Sequence, residues 1–380
     1  MASLLSLKRL GLVLLSIASL AACQVTPLAT PPTGKATPTQ PAPENPVKKL
    51  GGTVIDVPYA WGGEMRCGAY GCRLVVVEHE KSKVLLFQMD GREARLLDSK
   101  QVAYHPDSAI WLSDDLFAVA VEASFSLDIF QTKGEKAELK EQIPIGISPR
   151  DVVLIERSQG RYKLLATPYD GKEVVWVDYD PENKEKTHIQ KSEWCTAPWH
   201  PVRLSRAPGA PSGGVAIACL DGKQVAFAPW DALTQKARTL LTIPVEGYIV
   251  PRATRPSPSG RWLYVALETG QRNLRFNLDT EELQWIDSPL TGAVSVLPLA
   301  DDLVLWGDDQ HLYLQQLNAQ GAVLETRWLP VDGLPTSLQL LDVDGDGIQD
   351  LVVLNSSVSR HKNGVNILYG PLWERAQVRQ

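Results

Sequence analysis

The sequence predicts an all-β fold built from a sevenfold repeat, on three observations. Helical periodicity is nearly absent, whereas short runs rich in β-branched and aromatic residues, bounded by Gly, Asp, Asn and Pro, recur along the body. These runs form one repeating unit, an apolar strand, a short turn and a second strand ending in a polar turn, whose starts fall about 40 to 50 residues apart. Prolines stand in register at five of the inner-strand starts between these units. That interval is the one at which four-stranded blades repeat around a central channel, so residues 51–380 are expected to form a single seven-bladed β-propeller. Six or eight blades are the alternatives. A row of β-sandwiches is disfavoured because no domain boundary is marked and the repeat is too short for one sandwich per unit.

In chain order the units are "RLVVVEHEKSKVLLFQMDG", "LFAVAVEASFSLDIFQTKG", "YKLLATPYDGKEVVWVDYD", "GVAIACLDGKQVAFAPWD", "RWLYVALETGQRNLRFNLD", "DLVLWGDDQHLYLQQLN" and "DLVVLNSSVSRHKNGVNILYG". Each is read as the two middle strands of a blade. The intervals leave room for an outer strand after the pair, as in "REARLL", "ELQWID" or "LETRWL", and for an inner strand before the next. Inner strands are expected to start at Pro106, Pro149, Pro201, Pro251 and Pro335. A proline is tolerated at a strand's first residue because no ladder hydrogen bond is lost there.

The N-terminal stretch "MASLLSLKRLGLVLLSIASLAAC" has a basic pair at Lys8 and Arg9, a short apolar core and small residues before Cys23. It reads as a cleaved targeting segment over residues 1–22, since the core is shorter than the roughly 20 residues a spanning helix needs. Leu20, Ala21, Ala22 and Cys23 resemble the lipobox of bacterial lipoproteins. That resemblance implies diacylglyceryl attachment at Cys23 and cleavage before it. An ordinary secretory signal with an incidental cysteine is the alternative. Residues 23–50 are rich in Pro, Thr and Ala and too poor in apolar side chains to fold, so they read as an extended linker. Gln24 stands where an aspartate would resemble an inner-membrane retention signal, which implies the outer membrane if the cell has two.

With 44% hydrophobic and 22% charged residues the composition is that of a globular protein. The formal charge is −6, and loss of Lys8 and Arg9 with the signal makes it two units more negative. Such a body is a poor partner for nucleic acid or an anionic membrane surface, so membrane contact is expected through the lipid alone. Four cysteines remain: Cys67 and Cys72 in "CGAYGC", then Cys195 and Cys219. In an oxidising envelope compartment they read as two disulfides paired by proximity. A zinc site is the rival reading, but there is no CxxC spacing and no adjoining histidine cluster. In a propeller, Cys195 would sit at the start of the fourth inner strand and Cys219 on its antiparallel neighbour.

"LDVDGDGIQDLVVL", Leu341 to Leu354, gathers four carboxylates that repel one another unless a cation lies between them. An EF-hand register fails, because Val353 occupies the position of the bidentate glutamate and the flanks have strand character. The stretch instead resembles the FG-GAP (VCBS-type) repeat of integrin-α-like bacterial propellers. The resemblance implies Ca²⁺ held by Asp342, Asp344, Asp346 and Asp350 with the Ile348 carbonyl. Its role would be to pin a turn, since a fully ligated ion leaves no open position. It covers the seventh blade only, and a solvated acidic turn is the alternative. "PSPSGRWLYVALETG" in the fifth blade is similar to the TolB and lactonase-type propeller repeat, with Ser259 where that pattern usually has aspartate.

No HxH or HExxH pair, Walker loop or Gly-x-Ser-x-Gly elbow occurs. What remains is positional. If inner strands begin on one face, that face presents Tyr104, His105, Arg150, Trp199, His200, Arg203, Tyr248 and Arg252 around the channel mouth. Aromatic and imidazole groups suit stacking, and guanidinium groups suit carboxylate or phosphate. The competing account has the aromatics filling inter-blade gaps and the arginines paired with Asp107 and Asp151. The chain therefore reads as a lipid-anchored, non-catalytic binding or scaffold module for a protein, peptide or glycan partner, with structural Ca²⁺. The alternative is a propeller enzyme, lactonase-, lyase- or dehydrogenase-like, with its site in the channel.

Overall fold

The structure is a computed structural model that describes residues 45–247, 249–290, 292–308, 311–356 and 364–378. The signal segment, Cys23 and the linker up to residue 44 lie outside the described residues, as does Tyr248. No helix among the described residues is long and apolar enough to cross a membrane.

Seven four-stranded antiparallel sheets make a seven-bladed β-propeller. Six are consecutive in sequence. The seventh takes its inner three strands, Pro335–Leu341, Asp350–Asn355 and Gly364–Leu368, from the C-terminal end and its outer strand, Thr53–Asp56, from the N-terminal end, with Thr53 opposite Ile367. The two ends of the body thus close the ring together.

The middle strands are largely buried because adjacent blades cover both their faces. Leu116–Val121 (LFAVAV) and Trp262–Leu267 (WLYVAL) are buried at every position. Ala216 and Phe227 of the fourth blade share one apolar cluster with Val265 and Leu274 of the fifth. Outer strands have a free face and turn polar, as in Lys136–Pro144, where only Ala137 and Ile143 are buried.

The innermost strands are Ala60–Gly68, Pro106–Trp111, Pro149–Ser158, Pro198–Leu204, Pro251–Pro256, Ser295–Pro298 and Pro335–Leu341. Pro106, Pro149, Pro251 and Pro335 open their strands as expected. The fourth opens at Pro198 rather than Pro201. Pro201 falls inside it, at a register shift between Trp199 and Val202, where a residue without an N–H costs no ladder bond. Five further innermost strands carry such a shift just after their start, between Ala60/Gly63, Pro106/Ser108, Pro149/Asp151, Pro251/Ala253 and Pro335/Ser337.

Because strands alternate in direction, the loops before each innermost strand lie on one face of the disc. The acidic loop 342–349 and the turn of the Cys67–Cys72 hairpin lie on the opposite face. Both expected disulfides are present. Cys67 and Cys72 are direct cross-strand partners, and Cys219 faces Pro198, with Cys195 three residues ahead of the strand rather than at its first position. Residues 45–50, linker-like in composition, pack on the body. Asn45 caps a one-turn helix, Pro46–Lys49, by accepting from the Val47 and Lys48 amides, and Val47 is fully buried among Leu305, Leu351 and Leu368.

Candidate functional site

A cavity of about 880 Å³ runs into the channel and is lined by all seven innermost strands. The register shifts shape its mouth. A residue that escapes the ladder at a bulge turns its side chain out of the sheet's alternation. Here those positions hold Gly62, Asp107, Arg150, His200, Arg252 and Thr336, and every one lines the cavity.

Three guanidinium groups dominate the charge. Arg150 lies over the Trp199 ring, 3.3 Å from its centroid, and 4.8 Å from that of Tyr169, and its buried Nε has no hydrogen-bond partner among the described residues. Burial, and next the charge of Arg252, push its pKa down to about 10. Arg252 lies 4.5 Å from the same Trp199 centroid, with Glu268 at 3.6 Å. Deeper, burial also lowers Arg255, against the opposing charges of Asp151 and Glu64.

The carboxylates are engaged elsewhere. Asp151 Oδ1 accepts from Ser108 Oγ at 3.0 Å and the Val152 amide at 2.9 Å, and Oδ2 lies 3.1 Å from His200 Nδ1. Burial holds His200 below its ordinary value despite that contact. Asp107 pairs with His79 at 3.0 Å. Glu64 accepts the Trp111 amide at 2.6 Å, and burial pushes it up to about 7. Among the described residues, neither Asp107 nor Asp151 forms an ion pair with Arg150, Arg203 or Arg252, contrary to the packing account.

Of the residues expected at the mouth, Arg150, Trp199, His200, Arg203 and Arg252 line the cavity. Arg203 is exposed and reaches over Trp230, at 5.2 Å. Tyr104 and His105 do not line it. They end a stack that leaves the cavity wall at Trp61 and passes through His79, with centroid spacings of 5.1, 4.1 and 3.6 Å. Glu80 brings a carboxylate near His79 and His105. The two imidazoles are stacked face to face, so their in-plane lone pairs do not meet at one ion. Trp61, Glu64, Ser108, Asp151 and Arg255 belong to the site and were not expected there. The available signal was the strand-opening proline, since the residue after it is the one turned into the channel at Asp107, Arg150, Arg252 and Thr336.

On the opposite face, Asp342, Asp344 and Asp350 each bring an oxygen within 4.8 Å of the others. Asp342 accepts the Gly345 and Gly347 amides, and buried Asp350 accepts those of Val343 and Gly370. Burial raises the Asp350 carboxyl, with the charge of Asp344 adding to it. Asp346 stands outside the trio and accepts the Ile348 amide at 2.8 Å. Arg92 reaches Asp344 at 2.8 Å from the neighbouring blade. The donor set is all oxygen and fits a hard dication, with Arg92 matching part of its charge.

No family model matches the chain, and no curated protein resembles it in sequence. Its fold recurs in solved structures. A streptogramin B lyase is similar over 84% of this chain and 96% of its own, with 10% identity and a TM-score of 0.59. A catalytically inactive virginiamycin B lyase from Staphylococcus aureus, with quinupristin, reaches a TM-score of 0.61 at 10% identity, over 84% and 98% of the two chains. The β-propeller domain of Cps50 (Swd1) from Myceliophteria thermophila gives 0.56 at 10% identity, over 83% and 98%. At these identities the likeness defines a class, the β-propellers, and a fold shared by a lyase and a protein of another kind.

Proposed function

We propose that this protein is a lipid-anchored binding propeller of the cell envelope, whose channel mouth takes the anionic group of a protein, peptide or glycan partner. The observation that carries the reading is the pair Arg150 and Arg252, both on Trp199, with Arg150 in no ion pair among the described residues and its charge made costlier by that of Arg252. Two guanidinium groups in a part-buried cavity are costly to hold charged without an anion, and Arg presents paired donors that match carboxylate or phosphate. The lipobox-like Cys23 supports the anchor, and Gln24 supports outer-membrane sorting. The FG-GAP-like loop supports Ca²⁺ at Asp342, Asp344 and Asp350, with Asp346 and the Ile348 carbonyl joining on binding, in a structural part remote from the mouth.

Calorimetry with glutarate and with inorganic phosphate tests the mouth. The wild type should bind at least one of them, and the combined variant Arg150→Gln, Arg203→Gln, Arg252→Gln should bind neither while melting no lower. Equal binding by both proteins would sink the reading, and a variant that merely unfolds would return the arginines to packing. Labelling with a fatty-acid analogue should mark the wild type and leave Cys23→Ala unlabelled and released.

A further inference from the structure

His200 stands between these guanidinium groups and a carboxylate that cannot turn away. Asp151 is fixed through Oδ1 by Ser108 and the Val152 amide, so Oδ2 faces His200 Nδ1. The hydrogen then resides on Nδ1, and Nε2 keeps its lone pair on the free edge of a ring that lines the cavity. Burial, with the charges of Arg252 and Arg255, lowers its pKa against the opposing pull of Asp151 and so disfavours the protonated ring. The backbone at His200 is left-handed, with φ of 49°, inside the bulge that turns it inward. Such strain persists where the surroundings enforce one side-chain direction.

Beside it, Arg150 lines the same cavity, stacked on Trp199, and is in no ion pair among the described residues. The Trp199 ring centroid lies 5.1 Å from that of His200. A base with a free lone pair and an unpaired guanidinium group in one cavity is the set that acyl transfer to water needs. Ser108 Oγ donates to Asp151, so it is not presented to Nε2 as a nucleophile, which leaves water in that role.

We propose that the channel mouth hydrolyses an ester bearing an anionic group, with His200 as general base and Asp151 as its positioning residue. The proposal rests on the anion-binding reading above. Arg252 holds the anionic group, and the Arg150 guanidinium, which lines the same cavity, meets the carbonyl oxygen. Nε2 takes a proton from water as the water oxygen bonds to the carbonyl carbon, and the carbonyl π pair moves onto its oxygen. That pair returns as the carbon–oxygen bond to the alcohol breaks. The alcohol oxygen leaves with the bond's electrons and receives the proton from His200, giving carboxylic acid and alcohol.

The probe is mono-4-nitrophenyl glutarate, with 4-nitrophenyl acetate as the neutral comparison and calorimetry of glutarate run separately. His200→Asn is the informative variant, because Asn tolerates the left-handed backbone and still donates to Asp151. It should lose about 100-fold in kcat while binding glutarate as the wild type does. Arg252→Gln should raise KM for the anionic ester by a larger factor than KM for the acetate. Asp151→Asn should lower kcat and move the acid limb of the pH profile to lower pH, which a merely structural contact would not do. Glutarate binding with hydrolysis no faster than in buffer, or unchanged in His200→Asn, overturns the general base and leaves the binding reading standing. Failure of glutarate and inorganic phosphate to bind overturns both.

Discussion

Glu64 is a carboxyl group held in the channel at the expense of its charge. Burial moves its pKa from the ordinary 4.5 to about 7, and the Trp111 amide with Arg66 and Arg255 only partly offsets the shift. The native state therefore binds this proton more tightly than the unfolded chain does. The contribution to stability is fully present below pH 4.5 and is lost as the pH rises through about 7. At one pKa unit per 1.36 kcal/mol the swing is about 3 kcal/mol. Glu64→Gln keeps an acceptor for Trp111 and removes the titration. Its stability relative to wild type should climb between pH 4.5 and 7 and level off near 3 kcal/mol above it, measured by urea unfolding at pH 5 and pH 8. A difference independent of pH would place Glu64 in water. Residues of this kind were illegible in the sequence. Arg150, Trp199, His200 and Arg252 could be named because they adjoin strand starts. Glu64 and Arg255 sit partway down a strand, past the position that a strand-opening proline marks, and no local pattern shows that they face the channel.

A loop between two strands is legible when its own residues supply all of its bonds. The aspartates of 342–350 accept amides of their own loop, those of Val343, Gly345, Gly347 and Ile348, so their spacing alone announced a tight, cation-compatible turn. Arg92, which reaches in from the first blade, belongs to a different stretch of chain and could not be anticipated. If Ca²⁺ binds the native loop, saturation to 100 times Kd adds about 2.7 kcal/mol. Scanning calorimetry should show the wild type melting higher in Ca²⁺ than in chelator, with Asp344→Ala losing that difference and its Arg92 contact. Anion binding at the mouth should survive in the folded variant, because loop and mouth lie on opposite faces of the disc. Identical melting with and without Ca²⁺ would leave a solvated acidic turn. The disulfides separate in the same way. Cys195–Cys219 closes a span of 24 residues, worth about 3 kcal/mol by chain entropy, whereas Cys67–Cys72 spans 5 and staples a hairpin already paired. Replacing the first pair by Ser should cost several degrees and weaken anion binding, because Cys195 anchors the segment leading to Trp199. Replacing the second should cost little, and the reverse order would contradict this assignment.

Closure is a property of the ring rather than of any blade. The repeat made seven units legible, but the last one seen in the sequence supplies only three strands, and its fourth is Thr53–Asp56 from the other end of the body. Val47 and Ile55 are buried by this arrangement, and each such side chain is worth about 1.5–3 kcal/mol when fully removed from water. Their sum is a large share of the net stability of a typical domain, about 5–15 kcal/mol. Without them Gly364–Leu368 becomes an open edge, a row of unpaired amides and carbonyls between blades that need it covered. A variant beginning at residue 57 should therefore fail to fold cooperatively and should aggregate, although it keeps every complete blade from the first to the sixth. A synthetic peptide of residues 45–57 added during refolding should restore a single sharp transition, followed by circular dichroism and light scattering. Removing residues 1–44 alone should leave the transition where it was, since the capped turn at Asn45 and everything it packs against remain. A monomeric, cooperative variant lacking residues 1–56 would show that six blades and three strands close without the N-terminal strand, and the coupling between the two ends would have to be given up.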